Sequence, residues 1–207
     1  MSAATLTIRE EIESQRNHIA DQVVARCFEL KPELDQRYGP IGRKKCHEDT
    51  IYHLRYLSDA VSSDSPSLFV SYVGWAKVLL AGYKIPAGDL EFHLQLLRES
   101  LKTYLTEQNY ILTGSVIQQA LDALPDQPDE LTSVLDPSEP HHFLAREYLA
   151  RLLEGNRREA SSMIMTAVQS GVSVKDIYVH VFQRAQHEIG RLWQSNQLSV
   201  AQEHFCT

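Results

Sequence analysis

The residues whose types and spacing most clearly suggest a ligand-binding site lie at the C-terminal end of the chain. Val200, Glu203 and His204 follow the i, i+3, i+4 spacing of one helix face, and Trp193 precedes them across a short polar segment. A flat indole, a small apolar side chain, a carboxylate and an imidazole on one surface suit a planar ligand that is partly polar. The structural alternative is a core tryptophan at the end of an amphipathic stripe, beside a solvated Glu-His pair.

Other reactive side chains lie nearer the N-terminus and carry weaker signals. Cys46, His47 and His53 lack the i, i+4 spacing of a helical ligand pair, so no zinc site is predicted there. Cys27 stands in an apolar stretch and is predicted to be a core residue. His93 lies in a leucine-rich segment and is predicted to be buried with a hydrogen-bond partner. No nucleophile, base and orienting residue occur together at a motif spacing, so catalysis is not expected.

The elements that must position these residues are predicted to be helices. Thr7 is a capping signal for a helix over Ile8–Leu30, and the leucines from Leu90 to Leu101 repeat at helical spacing. The dipeptides Ser65-Pro66 and Ile85-Pro86 mark breaks between helices. No alternating strand pattern occurs in the sequence. The fold class is therefore predicted to be all-α.

One segment separates the chain into two parts. Residues 125–140 contain four of the eight prolines, and the acidic residues between positions 126 and 139 have no basic neighbour. Because proline removes a backbone donor and disfavours helix before it, this segment is predicted to be a Pro-rich acidic linker. It would join a helical domain of residues 1–124 to a second helical bundle of residues 141–207.

The second bundle is predicted to contain four helices. The first two cover Phe143–Leu153 and Arg157–Gln169, and a long amphipathic helix runs from Ser173 to Trp193. The apolar stripe of that long helix consists of Val174, Ile177, Tyr178, Val181, Phe182, Ala185, Ile189 and Leu192.

The fourth helix begins close to the end of the sequence. Ser199 followed by Gln202 matches a capping box, and only a short helix fits between this box and Thr207. Because a helix of that length is marginal by itself, we expect the chain to be a fragment of a longer protein.

Composition excludes several classes of protein. Twenty basic residues against 27 acidic ones give a net charge of −7, which argues against direct nucleic-acid binding. No apolar run approaches the roughly 20 residues that cross a bilayer. Three scattered cysteines are too few for a disulfide framework, and the N-terminus lacks a signal-peptide pattern. A cytoplasmic protein without membrane contact is expected.

The spacing between Trp193 and the Glu203-His204 pair carries a family resemblance. Nine residues separate them, and further motifs of the same kind are Leu152-Leu153-Glu154-Gly155, Gly171-Val172, Ile177-Tyr178, Ile189-Gly190-Arg191-Leu192-Trp193 and Ser199-Val200-Ala201-Gln202. Together they resemble the helical half of a cobalamin-binding module. The pattern is similar in particular to adenosylcobalamin-dependent photoreceptor repressors and related sensory regulators.

The resemblance implies a fold and a role for each site residue. In that family a four-helix bundle caps the upper face of the corrin ring of cobalamin. By resemblance, Trp193 would cover the upper ligand, Val200 would form an apolar wall, and Glu203 and His204 would contact an adenosyl group. The implied cofactor is cobalamin, most naturally adenosylcobalamin in the full-length parent.

Three departures from the family pattern limit what carries over. The family supplies the lower cobalt ligand from an Asp-x-His-x-x-Gly segment of an α/β domain, and these 207 residues contain no such segment. The chain is therefore expected to be truncated before that domain. Gln194 also replaces the histidine that follows the tryptophan in the photoreceptors, and the DNA-binding head usual in the repressors is missing.

Three functions remain open at this stage. The first is a cobalamin-binding sensor, a homo-oligomer that reports cofactor state or light to a protein partner. Residues 1–124, similar in helix order to globin-like sensory domains, would serve as its sensory or dimerisation domain. The second is a corrinoid carrier for methyl transfer, and the third is a ligand-free helical interaction module.

Overall fold

A computed structural model describes residues 7–207, and this part of the chain is all-α, as the sequence predicts. No β-strand occurs within it, and no helix in it combines the length and hydropathy that a membrane span requires. The helices are α1 Ile8–Leu30, α2 Glu33–Ser62, α3 Pro66–Gly82, α4 Ala87–Tyr104, α5 Glu107–Ala123, α6 His142–Leu153, α7 Arg157–Gln169, α8 Val174–Asp176, α9 Gln183–Gln194 and α10 Val200–Cys206. A 3-10 turn, Leu124–Asp126, follows α5, and a π-helical segment, Ile177–Phe182, joins α8 to α9.

Local sequence signals set the ends of these helices. Thr7 caps α1, because its hydroxyl accepts the N–H of Glu10 while its own N–H donates to the Glu10 carboxylate at 2.8 Å. The predicted start of α1 is confirmed. Pro66 begins α3 and Pro86 precedes α4, so both predicted breaks are confirmed as well. Within α2, Gly39 has a φ of 59°, a conformation that favours glycine, and it divides the helix into two segments.

The described chain forms two compact units. The first unit contains the residues up to Lys77 and Ile85–Pro128, and the second contains Val78–Lys84 and Asp129–Thr207. The change from the first unit to the second at Pro128 lies within the proline-rich acidic segment.

Each unit has its own apolar core. In the first unit α1 packs against α2 and α4, and α5 packs against α2 and α4. Its fully buried large side chains include Ile19, Val23, Leu54, Leu57, Phe69, Leu94, Leu97, Leu101 and Ile117. In the second unit α6 packs against α7, α9 and the π-helical segment, and α10 packs against α9 and α6. Its buried residues are Ala145, Leu149, Leu152, Ala160, Ile164, Ile177, Val181, Ala185, Ile189 and Cys206.

The long helix predicted between Ser173 and Trp193 differs from expectation in its first half. The backbone N–H of Gln183 donates to the carbonyl of Tyr178, five residues earlier, which is the π-helical pattern. The residues buried along it, Ile177, Val181, Ala185 and Ile189, repeat every four positions. Because an α-turn holds only 3.6 residues, a wider turn helps to keep this stripe on the core. Val174 and Tyr178, predicted members of the stripe, are exposed.

Candidate functional site

A tight connection joins α9 to α10. The carbonyl of Leu192 accepts the backbone N–H of Gln197 at 2.8 Å and that of Leu198 at 3.3 Å, which closes the C-terminal end of α9. Asn196 adopts a φ of 56°, a left-handed conformation that asparagine tolerates in turns. Leu198 packs against the core of the second unit. These contacts fix the point at which α10 begins.

The capping box predicted for α10 is confirmed. The Ser199 hydroxyl accepts the N–H of Gln202 at 3.2 Å, and the Gln202 side-chain oxygen accepts the N–H of Ser199 at 3.0 Å. Two backbone donors at the helix start are thereby satisfied. This matters because α10 has only seven residues and would be marginal by itself.

One side of α10 is anchored to the second unit. Cys206 is buried among apolar residues of α6, α7 and α9, and burial raises the pKa of its thiol. The Arg157 guanidinium lies 4.2 Å from the centre of the Phe205 ring and donates to the Phe205 carbonyl. Gln186 donates to the carbonyl of Cys206 at 3.2 Å. The opposite side of the helix is therefore the one that faces solvent.

Val200 and His204, two of the four predicted site residues, lie on the solvent-facing side, and Glu203 lies at its edge. Val200 keeps 54% of its surface exposed, which is high for an apolar side chain. The side chain of His204 is 74% exposed and that of Glu203 is 24% exposed. His204 Nδ1 lies 2.6 Å from Glu203 Oε2. The structure thus brings Glu203 and His204 into direct contact beside an exposed valine.

Trp193, the fourth predicted site residue, lies in the last turn of α9. The side chain is half-buried, and its backbone carbonyl accepts the N–H of Asn196 at 2.9 Å. Gln194, directly after it, is buried at 7% exposure. The indole is therefore neither a fully buried core residue nor a fully exposed one.

A buried ion pair holds α9 in place, and sequence reasoning missed it. Arg191 Nη2 lies 2.7 Å from Glu188 Oε1, and both side chains are largely buried. Glu188 Oε2 also accepts the backbone N–H of Val134 at 3.0 Å, while Arg191 donates to the carbonyl of Leu131 at 3.3 Å. The pair thus fastens the segment before α6 to the helix that carries Trp193. The sequence signal that could have predicted this pair is an acidic and a basic residue three positions apart on the buried side of an amphipathic helix.

The hydrogen bonds of this pair change the pKa of the Glu188 carboxyl. Burial by itself raises that pKa, but the hydrogen bonds from Arg191 and from the backbone of Val134 together lower it below its usual 4.5. Glu188 is therefore ionised at neutral pH and is a structural residue of the second unit.

The predicted site lies on the exposed surface of α9 and α10, apart from a shallow pocket of the second unit. That pocket, of about 460 Å³, is lined by residues of α6 and α7, namely Leu144, Glu159, Ser162, Met163, Thr166 and Ala167. Trp193, Val200, Glu203 and His204 are not among them. An open surface with an apolar residue beside a polar pair fits a flat ligand covered from one side, whereas an enclosed small molecule needs a concave site.

Comparison with known proteins gives one match. Residues 144–207 match the family model described as the B12 binding domain. The match begins within α6 and includes α7 to α10 and all four predicted site residues. No curated protein and no solved structure matches the chain. The match supports a cobalamin-type cofactor for the second unit.

Proposed function

We propose that the second unit caps the upper face of cobalamin and that the chain is a sensory or regulatory protein that signals through cofactor state or light. The observation that carries this proposal is the match of residues 144–207 to the B12 binding domain. The matched segment includes α10 and its solvent-facing side. The proposed role is regulatory rather than enzymatic. When bound, an alkylcobalamin supplies a light-sensitive bond between cobalt and its upper ligand.

The proposed contacts divide into an apolar wall and a polar pair. Val200 and the accessible part of Trp193 offer apolar surface, which would otherwise remain in contact with water. Covering it with the upper face of a ligand is favourable, and an indole additionally stacks on flat groups. This supports a bulky upper ligand such as adenosyl.

The polar pair is arranged to accept hydrogen bonds. Glu203 is a carboxylate, which only accepts hydrogen bonds, and its Oε2 lies 2.6 Å from His204 Nδ1. The other imidazole nitrogen, His204 Nε2, takes no part in this contact. Hydroxyl and amino groups of an adenosyl ligand are donors, so they complement this pair.

A protected upper ligand favours the sensor over a corrinoid carrier for methyl transfer. A carrier must expose the upper face of its corrin to partner enzymes, whereas a tryptophan above that face restricts access. Gln194 occupies the position of the photoreceptor histidine and is buried, so any response to light would need a different replacement ligand for cobalt.

The test compares two valines in matched settings. Val200 and Val174 each follow a serine N-cap, and they are 54% and 57% exposed. Aspartate is favourable in the first turn of a helix, so Val200→Asp and Val174→Asp should both fold. We expect equilibrium dialysis with adenosylcobalamin in the dark to show at least about tenfold weaker binding for Val200→Asp and unchanged binding for Val174→Asp. The reason is that a carboxylate at position 200 would be desolvated when the corrin covers it.

Other outcomes would contradict the proposal. Equal affinity in the two variants would place the corrin elsewhere on the chain. Absence of binding to the unmodified chain at high protein concentration would favour the ligand-free module. Transfer of a methyl group from a donor to bound, reduced corrinoid would favour the carrier.

A further inference from the structure

Three helices of the first unit bring two cysteines and a histidine together. Cys27 of α1 and His93 of α4 are buried, and Cys46 of α2 is partly buried. His93 Nδ1 lies 3.5 Å from Cys46 Sγ and 3.9 Å from Cys27 Sγ. The two sulfurs and this nitrogen all lie within 4.8 Å of one another. Three metal-ligating atoms therefore converge on one point inside a helical core.

A fourth side chain fixes the orientation of the imidazole. The Thr50 hydroxyl donates to the carbonyl of Cys46 at 2.7 Å, so its single proton is already used. Its oxygen lies 3.1 Å from His93 Nε2 and must accept a proton from that nitrogen. Nδ1 of the neutral ring consequently carries a lone pair, and it is this nitrogen that faces the two sulfurs. A metal-binding histidine characteristically donates its other N–H in this way.

The distances also agree with tetrahedral coordination. With Zn–S bonds of about 2.3 Å and Zn–N bonds of about 2.0 Å, a sulfur and a nitrogen ligand lie about 3.5 Å apart and two sulfurs about 3.8 Å apart. Both nitrogen–sulfur distances are within a few tenths of an ångström of this value. The two sulfurs lie within 4.8 Å of each other, so a side-chain shift of at most about 1 Å brings all three atoms onto one ion.

We propose that Cys27, Cys46 and His93 bind a Zn²⁺ ion, with both sulfurs as thiolates and the imidazole through Nδ1. Three protein ligands leave a fourth coordination position for water or for an incoming ligand. Because Cys46 is only partly buried, an ion can reach the cluster from its side. The site lies wholly within the first unit, so the proposal is independent of cobalamin binding by the second.

The electrostatics of the two thiols support the same site. A hydrogen bond from Cys46 lowers the pKa of the Cys27 thiol, and the same contact together with burial raises the pKa of Cys46. A dication that binds both sulfurs as thiolates releases their protons to solvent and neutralises both charges.

The third cysteine provides a matched control for the test. Cys206 is buried in the second unit, outside the cluster. Reduced chain, Cys46→Ser and Cys206→Ser are each washed with chelator, incubated with Zn²⁺, passed through gel filtration and analysed for metal. We expect one zinc per chain in the unmodified protein and in Cys206→Ser, and loss of zinc in Cys46→Ser. Thermal unfolding, monitored by circular dichroism, verifies that each variant is folded.

Substitution of Thr50 tests the geometry without removing a ligand. Thr50→Val deletes the acceptor of the His93 N–H, whereas Thr50→Ser keeps it. We expect zinc affinity to fall by about tenfold or more in Thr50→Val and to persist in Thr50→Ser. Equal zinc in Cys46→Ser and the unmodified chain would overturn the proposal. Failure of the reduced chain to take up zinc would also overturn the proposal. This holds even if Cys27 and Cys46 form a disulfide when the chain is oxidised.

Discussion

At the scale of single residues, the solvent-facing side of α10 combines an apolar side chain, whose exposure to water is unfavourable, with a polar pair that water solvates well. Glu203 and His204 contact each other at 2.6 Å, and their other polar atoms can bond to water or to a ligand. Val200, by contrast, keeps 54% of its surface exposed without any gain in stability. A surface of this kind is suited to a partner that covers the valine and leaves the polar pair hydrogen-bonded.

Trp193 allows a direct test of which ligand is covered. We expect Trp193→Ala to weaken binding of adenosylcobalamin by on the order of 1 kcal/mol or more, about fivefold, because an indole stacks on a large upper ligand. Hydroxocobalamin has a small upper ligand and should lose less. The measurement is equilibrium dialysis of the chain with each cobalamin in the dark.

Trp75 in the first unit is the control for the loss of an indole. It is 39% exposed, and Trp75→Ala should leave the ratio of the two affinities unchanged. Equal losses for both cobalamins in Trp193→Ala would instead indicate that Trp193 contributes to the core.

At the scale of elements, α9 acts as the support for the candidate site. The Glu188–Arg191 pair binds the backbone of Leu131 and Val134, so the segment before α6 is fastened to the same helix that ends in Trp193. The π-helical segment keeps the first half of the stripe on the core. The position of the indole therefore depends on contacts that lie one to several turns away from it.

Removal of the Glu188 charge should destabilise the second unit. Because Glu188→Gln leaves Arg191 buried without its counter-ion, we expect a loss of roughly 3 kcal/mol in the free energy of unfolding, measured by urea denaturation. Glu154→Gln is the control, since Glu154 pairs with Arg151 at the same i, i+3 spacing but with greater exposure. Its loss should stay below about 1 kcal/mol.

The pH dependence of this loss has a defined sign. The pKa of Glu188 is lower in the folded chain than its usual 4.5, so the stabilisation is complete above that pH. It is lost progressively as the pH falls through the folded-state pKa. The difference between the unmodified chain and Glu188→Gln should therefore shrink in acid. A difference that stays constant from neutral pH to about pH 3 would contradict the role of the ionised carboxylate.

At the scale of the whole molecule, each of the two units buries an apolar core of its own. A helical cap covers one face of a corrin, and these 207 residues contain no Asp-x-His-x-x-Gly segment for the other. The immobilisation of a large ligand offsets much of what one face contributes. Cobalamin binding by this chain alone is thus expected to be weak.

Gel filtration measures this directly. We expect the 207-residue chain to unfold cooperatively but to lose adenosylcobalamin on the column, while light scattering detects self-association through the exposed apolar surface around Val200. Retention of cobalamin at a one-to-one ratio would show that the cap alone contributes most of the binding. A monomer at all concentrations would contradict the role of the exposed surface in self-association.

Helix identity and helix ends could be predicted from the sequence because they depend on residues within one or two turns. The capping boxes at Thr7 and Ser199 each involve a side chain and a backbone group three residues apart. The bounds of α1 and α7 and the all-α fold follow from the same local rules. The nine-residue spacing from Trp193 to Glu203 likewise identified the segment that matches the B12 binding domain.

Interactions between helices were decided only by the tertiary structure. Cys27, Cys46 and His93 stand on three helices, 47 residues or more separating His93 from each cysteine, and no local spacing relates them. The burial of Cys27 and His93 could be predicted one residue at a time, and Cys46 was considered only with His47 and His53. Their convergence could not be predicted, because which faces of α1, α2 and α4 meet depends on the packing of the whole first unit. The same holds for the π-helical segment, since the core selects Ile177 and Val181 over Val174 and Tyr178. Periodicity identifies an apolar face, but only packing determines what that face contacts.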